Sequence, residues 1–428
     1  MKNIVIAGLM LFLLLIVTAC SQGDEGETEA SQEEEYELTF HTHYVGNEGR
    51  AETIQAIVDE FNEEHEGRAR VVIDGTPDPQ TLYDRNRTSL ATDTVPDIFY
   101  FQHNPVDADR YYGSDKLIDL TPHLDDGWGD SFSEEGLEHG RYEDKIMAVP
   151  FESMMVPIYY NTELFAEAGI DEFPKTWDDF FEASEKLMDN GIIPIATGTG
   201  ENAWSTQLMY SYIVSSIAGA DFWELDLDDE AFLEGARVLE KLFEYSPSDA
   251  VGLPYSSYAS YFVNENAAMI VNGPWMISQF YEQGGDEFAD KVGAGTMPAY
   301  DGGEGEQGAV IAGVNFVLTG KQHTDPAKEE YAVAFMKYLT DPDNAKRLFL
   351  DSGALMEAAS FEINEDDDAD RISMDILSHL QEAPYEFKHL INAKSTEVAN
   401  EFPSAVSALA LGEVTPEEFV EQLANVDE

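Results

Sequence analysis

The chain carries one cysteine in 428 residues, Cys20, so no disulfide can form within it. Without that staple the fold rests on core burial, which suits a large body better than a small secreted module. Basic residues are also scarce: Lys and Arg total 23 against 85 Asp and Glu, a formal charge of −62. A surface so negative repels phosphate backbones and anionic lipid headgroups, which sets nucleic acid aside as a partner and disfavours anionic ligands. Catalytic signatures are missing as well. No Gly-x-Ser-x-Gly elbow occurs, and Gly198-Thr199-Gly200 is too short for a phosphate cradle, with no lysine following. These motifs assign no catalytic residue, metal or cofactor, and with 85 acids a glycosidase's pair of carboxylates stays open.

Apolar residues are present in sufficient number. Hydrophobic types make up 43% and aromatics 11%, enough for a core in two or three packed units. Met1-Lys2-Asn3 leads into the apolar run Ile4 to Val17, shorter than the roughly 20 residues a spanning helix needs but suited to a signal peptide over 1–19. The run ends in Val17-Thr18-Ala19-Cys20, which resembles a bacterial lipobox. Two acyl chains on Cys20 would anchor the protein at the outer face of the cytoplasmic membrane, with residues 20–35 as an acidic tether.

The body alternates strand and helix signals. Tyr36 to His43 alternates, Ile54, Ile57, Val58 and Phe61 have helical spacing, Arg70 to Ile73 reads as a strand, and Pro96 to Phe101 is a short apolar strand. That order predicts an α/β unit with a mostly parallel sheet. Ala148 to Tyr160 is extended but interrupted by Pro150 and Pro157, as a segment crossing between units would be. Thr176 with Asp178 and Asp179 predicts a capped helix whose Trp177 faces the core. Ala267 to Asn272, Lys291 to Met297 and Ala309 to Thr319 read as strands, and the chain beyond Asp325 as helical.

Several segments together resemble the extracellular solute-binding proteins of sugar-type ABC importers, from about Leu38 to Ser360. They include Pro96-Asp97-Ile98-Phe99, Val149-Pro150-Phe151, Tyr159-Tyr160-Asn161, Pro174-Lys175-Thr176-Trp177 and Asn272-Gly273-Pro274-Trp275. The resemblance implies a two-lobed periplasmic-binding-protein-like fold, each lobe a mostly parallel sheet flanked by helices, joined by crossing strands. Chain order assigns 36–153 with 298–340 to one lobe and 154–297 with 341–428 to the other. Such a body, a monomer by default, would close on a small solute and present it to the permease.

Ligands of open α/β sheets sit beyond the carboxyl ends of strands, which directs attention to the loops there. Tyr44 and Asn47 follow the first strand; Phe101, Gln102 and Asn104 belong to the loop after the Pro96 strand, where ordinary turn chemistry is the alternative. Glu152 in the crossing segment can accept from vicinal hydroxyls or form a structural salt bridge. Trp204 and Trp275 offer flat faces to a pyranose ring, and Asn315 completes the set. His41 and His43, two apart, could grip a metal, but no further ligand spacing lies near them; Asn364 to Asp370 lacks the glycine and closing glutamate of a calcium loop. A carbohydrate is the expected solute; another small polar solute, an exported carbohydrate-active enzyme and a surface adhesin stay open.

Overall fold

The computed structural model describes residues 35–46, 48–353, 361–364, 366–390 and 394–427. Cys20, the leader and Asn47 lie outside them.

Three strands, β1 (Tyr36–Thr42), β2 (Ala69–Gly75) and β3 (Ile98–Gln102), form a parallel ladder with β1 central. The helix Ala51–Glu64 crosses from β1 to β2 and buries Ile54, Ile57, Val58 and Phe61, the predicted stripe. Alternation along β3 then decides the layering. Ile98 and Tyr100 enter a core with Leu38, Phe40, Phe335 and Met336, whereas Phe99 and Phe101 enter a second cluster with Tyr111 and Val317. Both faces of this sheet are thus covered, which is why β3 reads as apolar throughout.

A small hairpin, β4 (Arg141–Tyr142) and β5 (Lys145–Ile146), precedes β6 (Val149–Val156). Pro157 ends β6, and the chain enters a second sheet as β7 (Ile158–Asn161). That sheet adds β8 (Ile193–Ala196), β9 (Ala267–Val271) and β10 (Val292–Gly295), in the order β10-β7-β9-β8. The chain returns through β11 (Val310–Gly320), an 11-residue strand that pairs with β3, β6 and the short β12 (Glu386–Phe387). The first sheet therefore runs β12-β11-β3-β1-β2, with β6 also on β11.

The expectation of a mostly parallel second sheet needs correction. Only β8 and β9 run parallel there; β7 is antiparallel to both β9 and β10. The reason is connectivity: β7 carries the chain in and β10 carries it out, so the two neighbours must oppose each other. Helices cover both faces all the same. Met269 and Val271 of β9 join the cluster of Trp177, Phe180, Phe402 and Phe419, and Ile270 joins that of Phe262, Phe280 and Phe288. Thr176 caps its helix by accepting from the Asp179 amide at 3.1 Å, and Trp177 is buried with Nε1 donating to Ser216 at 2.8 Å.

One helix crosses the expected boundary. Pro342–Ser352, assigned to the second lobe from sequence, is tied to helix Ala51–Glu64 by the Arg347–Glu60 ion pair and by Thr53 donating to Asp351 at 2.9 Å. Its Leu348 enters the first-sheet core and its Phe349 the second.

Candidate ligand-binding site

The pair β6 and β11 is irregular where it matters. Val314 faces Ser153, Phe316 faces Glu152 and Val317 faces Pro150, so the register shifts on both sides of Phe316. A bulge re-aims side chains and bends the strand. Here it brings Glu152 and Asn315 together at the crossing between the sheets.

Glu152 is buried and already engaged. Tyr44 donates its hydroxyl to Oε2 at 2.6 Å, and Arg50 Nη1 donates to the same oxygen. Arg50 also bonds Glu48 at 2.7 Å and lies 4.4 Å from the Tyr44 ring centre, while Tyr44 stacks on Tyr100 at 5.3 Å. Burial pushes the Glu152 carboxyl up from its ordinary range, and the Arg50 guanidinium and Tyr44 hydroxyl oppose this without cancelling it. Burial, then the Glu152 charge, holds the Tyr44 phenol well above its usual value. Of the two roles considered for Glu152, the geometry matches the structural salt bridge.

The end of β3 and the loop after it divide their residues differently from expectation. Phe101 is a core residue: its ring stacks on Tyr111 at 4.3 Å and has no face toward a ligand. Period-two alternation turns it away from the side where Gln102 points. Asn104 is spent as the cap of helix Pro105–Tyr112, its Oδ1 accepting from the Asp107 amide at 2.9 Å. Gln102 remains half-buried and donates to Asn315 Oδ1 at 3.3 Å. The histidine pair does not converge either. His41 lies between Asn86 at 2.9 Å and Asp74 at 3.0 Å, and His43 Nδ1 meets the Tyr100 hydroxyl at 2.7 Å. Among the described residues no cluster of three or more metal-ligating side chains forms.

The two tryptophans come together. Strands β8 and β9 are parallel, so the loops after them lie at one end of the sheet, and these carry Trp204 and Trp275. Their ring centres are 5.9 Å apart, both are half-buried, and Trp204 Nε1 donates to Asn272 Oδ1 at 3.2 Å. A Cβ on Gly273 would meet the Trp275 ring at 2.2 Å, so glycine lets the indole fold back over the turn.

Beside them lie groups that sequence reasoning missed. His389 packs its ring against Trp204 at 5.2 Å and is 1% exposed, yet neither ring nitrogen has a hydrogen-bond partner among the described residues. Both amide atoms of Gln207 and Nδ2 of Asn272 are likewise buried and unpaired. Gln207 follows Trp204 by three residues on one helix, and Ser211, four further on, receives the Leu390 amide at 2.9 Å. Spacings of three and four fall on one helix face, which sets Gln207 along the segment carrying His389. Unpaired buried polar atoms cost about 1–3 kcal/mol each, so such a grouping calls for a partner. His389 also lines a cavity of about 50 Å³ with His103, Met154, Ala312, Gly313, Val314 and Lys388. No carboxylate lines this cavity among the described residues, although the chain as a whole is strongly acidic. Desolvation lowers both histidines to about 3, so their imidazoles are neutral.

Two helix-covered sheets joined by crossing strands, with polar groups at the crossing, define a two-lobed binding protein. Residues 46–346 match the family of bacterial extracellular solute-binding proteins, and the chain belongs to it. An uncharacterized ABC transporter extracellular-binding protein of Pyrococcus horikoshii is 31% identical over 149 residues, 33% of each chain, so the match spans about a third of that relative. A multiple sugar-binding protein of Streptococcus mutans is 23% identical over 79% of this chain and 78% of its own. A solved chitin oligosaccharide binding protein superposes with a TM-score of 0.83 at 24% identity, covering 92% of this chain and 98% of that one.

Proposed function

We propose that this protein captures a mono- or oligosaccharide outside the cell and hands it to the membrane permease of an ABC importer. The anchor would be lipid on Cys20, and capture would proceed by closure of the two lobes about β6 and β11. The observation that carries this reading is the Trp204–Trp275 pair, flanked by the unpaired polar atoms of Asn272, Gln207 and His389. Flat rings bury the C–H faces of a sugar, and mixed donors and acceptors suit its hydroxyls. The sugar-binding names of the relatives in the family point the same way. Tyr44, Glu152, Asn315 and Gln102 form a hydrogen-bonded group at the crossing of β6 and β11, which in this reading supports the site.

Calorimetric titration against an oligosaccharide library is the test. Saturable binding without turnover is expected, and Trp275→Ala should weaken it by about 0.5–1.5 kcal/mol while circular dichroism stays unchanged. Unchanged affinity would remove Trp275 from the site; release of a cleaved product would replace the binder by an exported carbohydrate-active enzyme.

A further inference from the structure

The cavity at the crossing has a composition at odds with the rest of the chain. The sequence has 85 acids, yet none lines it among the described residues. Its polar side chains are nitrogen groups: His103 after β3, and Lys388 and His389 after β12. Most described lysines and arginines are paired with a carboxylate, as Lys291 and Lys346 are. Lys388 makes no ion pair with a described residue; its ammonium lies 5.8 Å from the Trp223 ring centre. His389 is fully enclosed with both nitrogens unpartnered, although a neutral imidazole always carries one N–H to donate. Gly313 also lines the cavity, with φ of +125°, and a Cβ there would meet nothing within 4 Å, so the backbone faces open space.

We infer that this cavity receives an anionic group of the solute, a carboxylate or a phosphate borne on a sugar or polyol, with Lys388 at its mouth and His389 at its base. The inference rests on the saccharide-binding reading and narrows it. A carboxylate in place of a hydroxymethyl group accepts from the Lys388 ammonium and from the one N–H of His389 at once, and charge-assisted hydrogen bonds are stronger than neutral ones. A cation in the wall offsets at short range the repulsion that the chain's net charge exerts at long range. Salt at about 0.15 M screens the long-range part beyond about 8 Å and leaves the contact. The absence of carboxylates from the lining removes the local repulsion that a cleft of average composition in this chain would impose.

The test titrates the full chain with matched pairs in about 0.15 M salt: a galacturonate disaccharide against its galactose counterpart, glucuronate against glucose, and glycerol 3-phosphate against glycerol. At least one anionic member should bind about fivefold or more tighter than its neutral partner. The sugar-acid pairs and the glycerol pair distinguish carboxylate from phosphate. Lys388→Met and His389→Phe should each reduce that preference, whereas Lys241→Met, which removes a lysine resting on Phe181 elsewhere, should not. Neutral members binding as tightly as their anionic partners would overturn the inference and leave the saccharide reading standing. A preference that survives Lys388→Met would overturn the assignment to this cavity. Binding of no member of any pair, and of no library sugar, would overturn both.

Discussion

Replacing Arg50 by Met should destabilise the protein by about 3–5 kcal/mol, because it strands the Glu152 charge in the interior. Arg50 and Glu152 are 8% and 3% exposed, so water cannot take over the lost contact. Methionine keeps most of the stem packed against Tyr44 and removes only the charge. The pair is not symmetrical, and this gives the prediction its edge. Arg50 would keep Glu48 at 2.7 Å if Glu152 were neutralised, whereas Glu152 without Arg50 keeps only neutral donors, the Tyr44 hydroxyl at 2.6 Å and Asn315. Glu152→Gln should therefore cost less, about 1–3 kcal/mol, and the double variant less than Arg50→Met alone. The pH dependence follows from the direction of the Glu152 shift. A carboxyl held above its unfolded value in the fold penalises folding above that range and ceases to do so once protonated in both states. Losing Arg50 removes the cation that opposes the rise, so the deficit of Arg50→Met should shrink as the pH falls from neutrality toward the ordinary carboxylate range. Denaturant titrations followed by tryptophan fluorescence, always as differences from the parent, cancel the titration of the many surface acids. A deficit below about 1 kcal/mol at neutral pH, a larger cost for Glu152→Gln, or a deficit that grows on acidification would each refute the reasoning.

Phe101→Ala should cost about 3–5 kcal/mol of stability as a core truncation, with ligand affinity retained at temperatures where the variant is folded; calorimetry alongside thermal melts checks both. Asn104→Ala should lose about 0.5–2 kcal/mol through the missing cap, measured by denaturant midpoint, with no selective loss of binding. Gly140→Ala places a Cβ 1.8 Å from the Ala148 carbonyl oxygen. Backbone must move there, so a loss of about 1–3 kcal/mol is expected in the same melt, and an unchanged midpoint would contradict the packing described.

The elements whose signal is local were legible in the sequence. Alternation at Tyr36–Thr42, the stripe at Ile54, Ile57, Val58 and Phe61, and the Thr176 cap each depend on neighbours within a few residues, and the structure has them. The antiparallel second sheet was not legible, because β7 pairs with residues more than a hundred positions away. Nothing in Ile158–Asn161 itself distinguishes a parallel from an antiparallel partner. The bulge around Phe316 is equally silent, since it arises from the register of β11 against β6.

The site shows a sharper limit, set by the atoms themselves. An asparagine after a strand offers the same oxygen to a helix N-terminus as to a sugar, so Asn104 and Gln102 look alike until the amide of Asp107 claims one of them. A carboxylate in a crossing strand serves a hydroxyl or a guanidinium equally well, and Arg50 decides the matter from 102 residues away. Tryptophan is less ambiguous. Its ring is too large to be satisfied by a turn, and the loops after two parallel neighbours must emerge at the same end of the sheet. Strand direction alone thus brings Trp204 and Trp275 together. The segment after β12 instead runs on beside Ala312 to Val314 in the middle of the crossing, and two residues of strand are too few to recognise in a sequence. His389 was hidden by the brevity of the strand that positions it, and its two unpaired nitrogens are what the fold alone could reveal.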